Sequence, residues 1–359
     1  MGVRCMIMRG GTSKGAYFLR DELPHDPTAR AALLLRLMGS PDPRQIDGIA
    51  GGHPLTSKVA VVAAAADDDA DVEYLFLQIG VDRPLVSDSQ NCGNLLAGVG
   101  PFAIERGLVA VTGDDARIRI RMLNTDSLAL ATFPLHGGLP RYGGATSISG
   151  VPGTAAPVRL DFAGLAGGSC GALLPTGNVV DTFDEIAVTC IDNGMPVVVV
   201  RAEDVGVSGY ETCAELEADD DLRARLERIR LQAGPAMRLG DVSDATVPKV
   251  TLIAAPVAGG ALSTRTFIPH RCHEAIGVLG AVSVATACLL PGSVGDGVLQ
   301  RDGQSPVIIL EHPSGTFEAS VELSLDPAGA PIVERAGIIR TARKLMDGTV
   351  FPRTSDHSS

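Results

Sequence analysis

Ser57-Lys58-Val59-Ala60-Val61-Val62 returns later in the chain as Pro248-Lys249-Val250-Thr251-Leu252-Ile253, and each copy stands in the middle of a larger ordered pattern. Before the first copy lies Lys14-Gly15-Ala16-Tyr17-Phe18-Leu19-Arg20-Asp21-Glu22-Leu23, and after it Asn91-Cys92-Gly93-Asn94 leads into the apolar run Leu95 to Arg106. Before the second copy lies Gly194-Met195-Pro196-Val197-Val198-Val199-Val200-Arg201-Ala202-Glu203-Asp204-Val205, and after it Arg271-Cys272-His273-Glu274 leads into Ala275 to Leu289. Single matches of this kind are common, but three in the same order predict an internal repeat. The expected architecture is α+β, with two domains of one plan, each a strand-rich layer around a helix whose start presents a cysteine.

The first domain is expected over residues 1–185, joined by a C-terminal strand over 336–352, and the second over 186–335. A site between the two halves is expected, since two-domain proteins often keep one there. Composition agrees with strands and turns: 42 glycines and 23 prolines among 359 residues favour short elements. With 45% of residues apolar and 20% charged, the chain can bury a large core without disulfides or metals.

Local signals place several elements. Asp26-Pro27 before an alanine- and leucine-rich run, with Gly39 after Met38, reads as a capped helix. Lys58 to Ala66 and Val72 to Val81, joined by the acidic Asp67 to Asp71, read as an antiparallel hairpin. Gly10 to Lys14 reads as a polar turn before a strand at Gly15 to Leu19. Strands are expected at Val109 to Val111, Arg117 to Leu123, Ala129 to Pro134 and Val158 to Phe162, and a surface helix at Leu222 to Leu231.

Net charge is −12, and no stretch gathers lysines and arginines into a basic face, so nucleic-acid binding is not expected. A local pocket of cations and helix N-termini still suits an acidic small molecule. No apolar run approaches the ~20 residues of a membrane span, and Met1 to Arg9 lacks the apolar region of a signal peptide, so a cytoplasmic protein is expected. The oligomeric state, a homo-oligomer included, stays open. The seven cysteines, Cys5, Cys92, Cys170, Cys190, Cys213, Cys272 and Cys288, are scattered without zinc-type spacing and read as thiols, mostly buried. The seven histidines form no compact ligand motif, so neither metal nor cofactor is expected.

Cys92 is the foremost candidate for chemistry. A thiol at a helix start feels the dipole and the unpaired N–H groups, which stabilise a thiolate, while Asn91, Gly93 and Asn94 keep its approach open and polar. Cys272, at the matching place in the repeat, reads either as a second proton-transfer thiol or as a pocket wall. Lys58 opens a strand, and a lysine drawn out of water becomes a base. Arg9, Thr12, Ser13 and Lys14 read as an anion-holding loop that lacks the phosphate-loop pattern. Asn178, Arg265 and His270 are weaker candidates for holding carboxylates.

Taken together, Met8-Arg9-Gly10-Gly11-Thr12-Ser13-Lys14-Gly15, Gln45-Ile46-Asp47-Gly48, Leu55-Thr56-Ser57-Lys58-Val59 and Gln90-Asn91-Cys92-Gly93-Asn94 resemble the PrpF-type isomerases. Cys170 to Asn178, Ile191 to Pro196 and Phe267 to His273 are similar to the 4-oxalomesaconate tautomerase and Δ-isomerase branch. The resemblance implies the diaminopimelate-epimerase-like fold, no metal or organic cofactor, catalysis by Lys58 and Cys92, and a di- or tricarboxylate substrate met in gallate or protocatechuate degradation. It also implies that methylaconitate-acting relatives carry methionine where this chain has Cys272. A methylaconitate or aconitate isomerase is the nearest alternative, and a non-catalytic carboxylate-binding or accessory protein the alternative from another class.

Overall fold

The computed structural model describes residues 2–88, 91–301, 305–327 and 329–354, so Gln90, quoted above, lies outside the described residues. In chain order the strands and helices are β1 (Val3–Gly10), β2 (Ser13–Leu19), α1 (Pro27–Met38), β3 (Lys58–Ala64), β4 (Val72–Ile79), β5 (Val86–Ser87), α2 (Gly93–Glu105), β6 (Asp115–Met122), β7 (Ser127–His136), β8 (Leu139–Pro140) and β9 (Pro157–Phe162). They continue with β10 (Asp181–Phe183), β11 (Ile186–Asp192), β12 (Pro196–Arg201), α3 (Cys213–Ala218), α4 (Asp220–Ala236), β13 (Lys249–Ala254), β14 (Leu262–Phe267), α5 (Val278–Leu289), β15 (Val307–His312), β16 (Gly315–Leu325) and β17 (Pro331–Val350).

Two compact units result, Met1–Leu160 with Ile339–Ser359, and Asp161–Ile338. The division falls at 160/161 and 338/339, where the sequence places it near 185 and 335. Residues 181–183 pair with β11 and so belong to the second unit's sheet.

In the first unit β17 pairs antiparallel with β1, β1 antiparallel with β2, β2 parallel with β3, β3 antiparallel with β4, β4 parallel with β6, and β6 antiparallel with β7. The sheet wraps α2, which touches β1, β2, β3, β4, β6 and β8. Close wrapping explains why α2 is rich in small residues. A Cβ on Gly98 would lie 2.5 Å from the Tyr17 hydroxyl, and one on Gly100 2.6 Å from the Phe133 ring. On the other face of the sheet α1 contributes Leu34, Leu37 and Met38 to an apolar layer with Cys5, Phe18, Val59, Val61, Leu77 and Ile79. Asp26 Oδ2 accepts from Ala29 N at 2.7 Å, Pro27 starts α1, and Gly39 closes it at φ 80°, as the sequence signals require.

The second unit repeats the plan. β11 pairs antiparallel with β12, β12 parallel with β13, β13 antiparallel with β14, β14 parallel with β15, and β15 antiparallel with β16. Helix α5 touches β11, β12, β15 and β16, while α4 sets Leu222, Leu226, Ile229 and Ala233 against Val188, Val198, Val200, Val250 and Leu252. The first two repeat blocks fall on β2 and β12 and on β3 and β13, and the third precedes α2 and α5, so the α+β, doubled architecture read from sequence is the observed one.

Three local expectations are corrected. Val109 to Val111 form no strand, because α2 ends just before them and they pair with nothing. Gly10 and residues 13–14 are strand rather than turn, leaving a two-residue connection at Gly11-Thr12, with Gly11 at φ +52°. Helix α5 starts at Val278 after Gly277, not at Ala275, so Cys272 is not at a helix start. No helix among the described residues is long and apolar enough to cross a membrane.

Candidate active site

Cys92 is the N-cap of α2, with extended backbone (φ −128°, ψ 97°) and no capping bond from its side chain. Its carbonyl accepts from Leu96 N at 3.0 Å and from the Tyr74 hydroxyl at 3.3 Å, which fixes the residue at the helix start. All seven cysteines are free, and six are buried; Cys92 alone is half-buried. Burial raises the thiols of Cys5, Cys170, Cys190, Cys272 and Cys288 above the ordinary range. Burial, followed by the charge a Cys92 thiolate carries, also keeps the Tyr74 phenol well above its ordinary value, so Tyr74 stays a donor.

The close approach of the β1–β2 connection to this helix start depends on glycines. A Cβ on Gly10 would meet the Asn94 carbonyl at 2.4 Å, and one on Gly11 would meet Asn94 Oδ1 at 2.1 Å. Asn94 is held from two sides, with Nδ2 donating to Thr12 Oγ1 at 3.0 Å and Oδ1 accepting from Arg340 Nε at 3.2 Å. Asn91 Nδ2 donates to Thr125 Oγ1 at 2.5 Å, while its Oδ1 is buried without a partner. Ser13 Oγ is likewise buried without a partner. The amides of Gly93 and Asn94 open the helix, where N–H groups lack intrahelical acceptors and attract anions.

Lys58 is the first residue of β3 and only 8% exposed. Its Nζ donates to Gln78 Oε1 at 2.6 Å and lies 5.0 Å from the Phe76 ring centroid. Lys58 and Gln78 are direct partners across β3 and β4, and Gln78 Nε2 is anchored on the carbonyls of Ser57 (3.0 Å) and Pro54 (3.1 Å). Tyr74, Phe76 and Gln78 alternate along one face of β4. That face thus carries the bond to Cys92 at one end and the cradle of Lys58 at the other.

Strand alternation separates the members of the expected anion loop. Gly10, Ser13, Gly15 and Tyr17 share the face that meets α2, as the Tyr17 hydroxyl bond to the Leu95 carbonyl (2.6 Å) and the contact of Gly15 with Leu95 show. Arg9 and Lys14, directly opposite each other, share the other face. Arg9 Nη1 donates to the carbonyls of Gly11 (2.9 Å) and Thr341 (3.0 Å) and to Thr341 Oγ1 (2.9 Å). Thr12 and Ser13 therefore stand toward the start of α2 with Asn91, Gly93 and Asn94, whereas Arg9 and Lys14 lie on the opposite strand face.

In the second unit the candidates are engaged locally. Asn178 Nδ2 donates to Asp181 Oδ1 at 2.9 Å, and His270 Nδ1 lies 3.6 Å from a Glu227 carboxylate oxygen. Arg265 donates from Nε to the Glu211 carbonyl at 2.7 Å and from Nη1 to the Thr264 carbonyl at 2.9 Å. Cys272 Sγ lies 3.2 Å from Cys213 Sγ within the apolar cluster formed with α3 and α4. Sequence reading missed Tyr74, Phe76, Gln78, Thr125 and Arg340. The hairpin register was the available signal for Gln78, since it sets 78 opposite 58.

A doubled sheet-and-helix unit, with a half-buried cysteine at the N-cap of the central helix and a buried lysine on the surrounding sheet, is the build of an isomerase of the diaminopimelate-epimerase-like fold. The chain belongs to the PrpF protein family, whose model matches residues 1–353, and it is an isomerase. It is 57% identical over 349 residues to a 4-oxalomesaconate tautomerase of Pseudomonas putida, covering 97% of this chain and 95% of that protein. It is also 57% identical over 348 residues to a (4E)-oxalomesaconate Delta-isomerase of a Novosphingobium species, covering 97% and 96%. Among solved structures, a methylitaconate-delta-isomerase superposes with a TM-score of 0.89 at 33% identity over 100% of this chain and 99% of the other. A probable proline racemase from Agrobacterium radiobacter shares the fold, with a TM-score of 0.51 at 16% identity over 99% and 94%.

Proposed function

We propose that this isomerase acts on 4-oxalomesaconate, with Lys58 and Cys92 as its proton-transfer groups. The supporting observation is the single face of β4 that holds both. Tyr74 bonds the Cys92 carbonyl and Phe76 lies under Lys58 Nζ, two residues and about 7 Å further along the strand.

The substrate carries a methylene between an α-keto acid and a carboxylate-bearing alkene, so loss of a methylene proton leaves a delocalised dienolate. Lys58 takes that proton and, carrying it, faces the developing enolate charge. Return of a proton to the enolate oxygen gives the enol, and return to the far alkene carbon gives the shifted double bond. Cys92 supplies or receives the second proton. The Gly93 and Asn94 amides, with Ser13 Oγ, hold carboxylates at the helix start.

The test is turnover of 4-oxalomesaconate in heavy water by wild type, Lys58→Ala and Cys92→Ser. Loss of isomerisation in the lysine variant, with deuterium exchange altered in the thiol variant, is expected. Near-normal isomerisation and exchange in both would sink the assignment. Turnover of methylaconitate in preference to 4-oxalomesaconate would move the substrate to the neighbouring branch of the family.

A further inference from the structure

Lys14, Arg9 and Arg343 stand in one row across three adjacent strands. Arg9 is directly opposite Lys14 on β2 and directly opposite Arg343 on β17. Directly opposite residues point to the same face; Lys14 Nζ turns to Gly51, where a Cβ would lie 3.5 Å from it, while Arg9 and Arg343 lay two cations side by side, an arrangement that is unfavourable without a counter-charge. None is present among the described residues: Arg9 meets only carbonyl and hydroxyl oxygens, and neither Lys14 nor Arg343 pairs with a carboxylate. Burial, and next the neighbouring Arg343, push the Arg9 guanidinium below its ordinary value, as uncompensated positive charge does.

Beside the two arginines lies a cavity of about 260 Å³. Arg9, Arg343 and the hydroxyl-bearing Thr341 and Thr154 contribute its polar wall, and Ile148 and Val151 contribute to its apolar one. Its volume is under the ~300–1,000 Å³ of pockets that take drug-sized ligands, which limits the occupant to a compact molecule. The cations call for an anion of more than one charge, and the apolar wall calls for a carbon skeleton rather than a bare oxyanion. All its lining residues belong to the first unit. The strand face that carries Arg9 is the one turned away from α2, and neither Cys92, Lys58 nor the groups at the start of α2 line the cavity.

We propose that this cavity is a second anion site of the enzyme, taking a compact carboxylate of two or more charges. The site does not depend on the identity of the isomerised substrate. A small polycarboxylate bound there neutralises Arg9 and Arg343 and packs its carbon chain against Ile148 and Val151.

Calorimetric titration with citrate and with inorganic phosphate tests this, using wild type, Lys58→Ala, Arg343→Ala and Thr154→Glu. Saturable citrate binding is expected in wild type and in Lys58→Ala, weakened at least about tenfold, roughly 1.4 kcal/mol, in Arg343→Ala and Thr154→Glu. Arg343 and Thr154 are exposed, and thermal melting verifies that both variants fold. Should Arg343→Ala melt early, Thr154→Glu decides. Citrate binding that is indifferent to both substitutions, or abolished by Lys58→Ala alone, overturns the site. Phosphate binding as tight as citrate, with the same dependence on Arg343, overturns the carboxylate assignment. Because these readouts are binding in a variant without turnover, failure of the substrate assignment leaves them unaffected.

Discussion

Lys58 Nζ is held at 2.6 Å by Gln78 Oε1, its direct partner across β3 and β4, and Gln78 is in turn anchored on the carbonyls of Pro54 and Ser57. A flexible side chain is thereby fixed at both ends of one hydrogen-bond chain. Preorganised groups act most strongly when they need no rearrangement at the moment of reaction.

Gln78 is therefore expected to be a positioning residue. Gln78→Ala frees the Lys58 side chain to swing away from the substrate and should lower kcat about tenfold, equivalent to ~1.4 kcal/mol. KM should stay nearly unchanged, because Gln78 is not placed among the carboxylate-holding groups. Steady-state kinetics separate the two constants. A rise in KM with kcat intact would instead make Gln78 a ground-state binding residue.

Cys92 should be the first thiol to react. The other six cysteines are buried, whereas Cys92 caps α2 half-exposed. Iodoacetamide at limiting concentration is expected to add one carbamidomethyl group, located by peptide mass spectrometry at Cys92, with activity falling in step. Labelling elsewhere first, or full activity after stoichiometric labelling, would contradict the role given to this thiol.

The repeat was legible because short blocks in a fixed order survive as sequence, and β2 with β12 and β3 with β13 are where those blocks fall. Helix α1 was legible because Asp26, Pro27 and Gly39 are local signals. The strand β1 was not, since Val3 to Gly10 shows no clean alternation of its own, although the C-terminal strand expected over 336–352 to join the first domain overlaps its partner β17. Arg9 and Lys14 read as companions of Ser13 because they share one six-residue stretch, yet strand alternation puts Lys14 on the face opposite Ser13, and Arg9, directly across from Lys14, goes with it. Cys272 was carried to a helix start by analogy with Cys92, and residues 273–277 intervene.

Cys272 gives a discriminating case. Its sulfur lies 3.2 Å from Cys213 in an apolar cluster, and burial, followed by the bond to Cys213, raises its thiol. Such a group is expected to act through packing. Cys272→Ser should place a hydroxyl among apolar side chains and cost about 1–3 kcal/mol, lowering the melting temperature while deuterium incorporation per turnover is retained. A hundredfold loss of kcat at an unchanged melting temperature would make Cys272 a proton carrier.

Acid sensitivity of the second unit should centre on Glu311. Its carboxylate is buried, which by itself raises its pKa, but it accepts backbone N–H bonds from Val257 (2.9 Å), Gly260 (2.8 Å) and Ala258 (2.6 Å). These donors, with Arg265 behind them, outweigh burial and hold the group below the ordinary glutamate value. A lowered folded value means that stability from this group is fully present above the unfolded value, about 4.3, and is lost as pH falls through the folded one. Denaturant midpoints measured from pH 7 downward should therefore drop in wild type below about pH 4. Glu311→Gln cannot carry the charge, so it should start about 1–3 kcal/mol less stable at neutral pH and show a flatter acid limb. A Glu311→Gln curve that runs parallel to wild type throughout would show that the loop from Val257 to Gly260 is held by something other than this carboxylate.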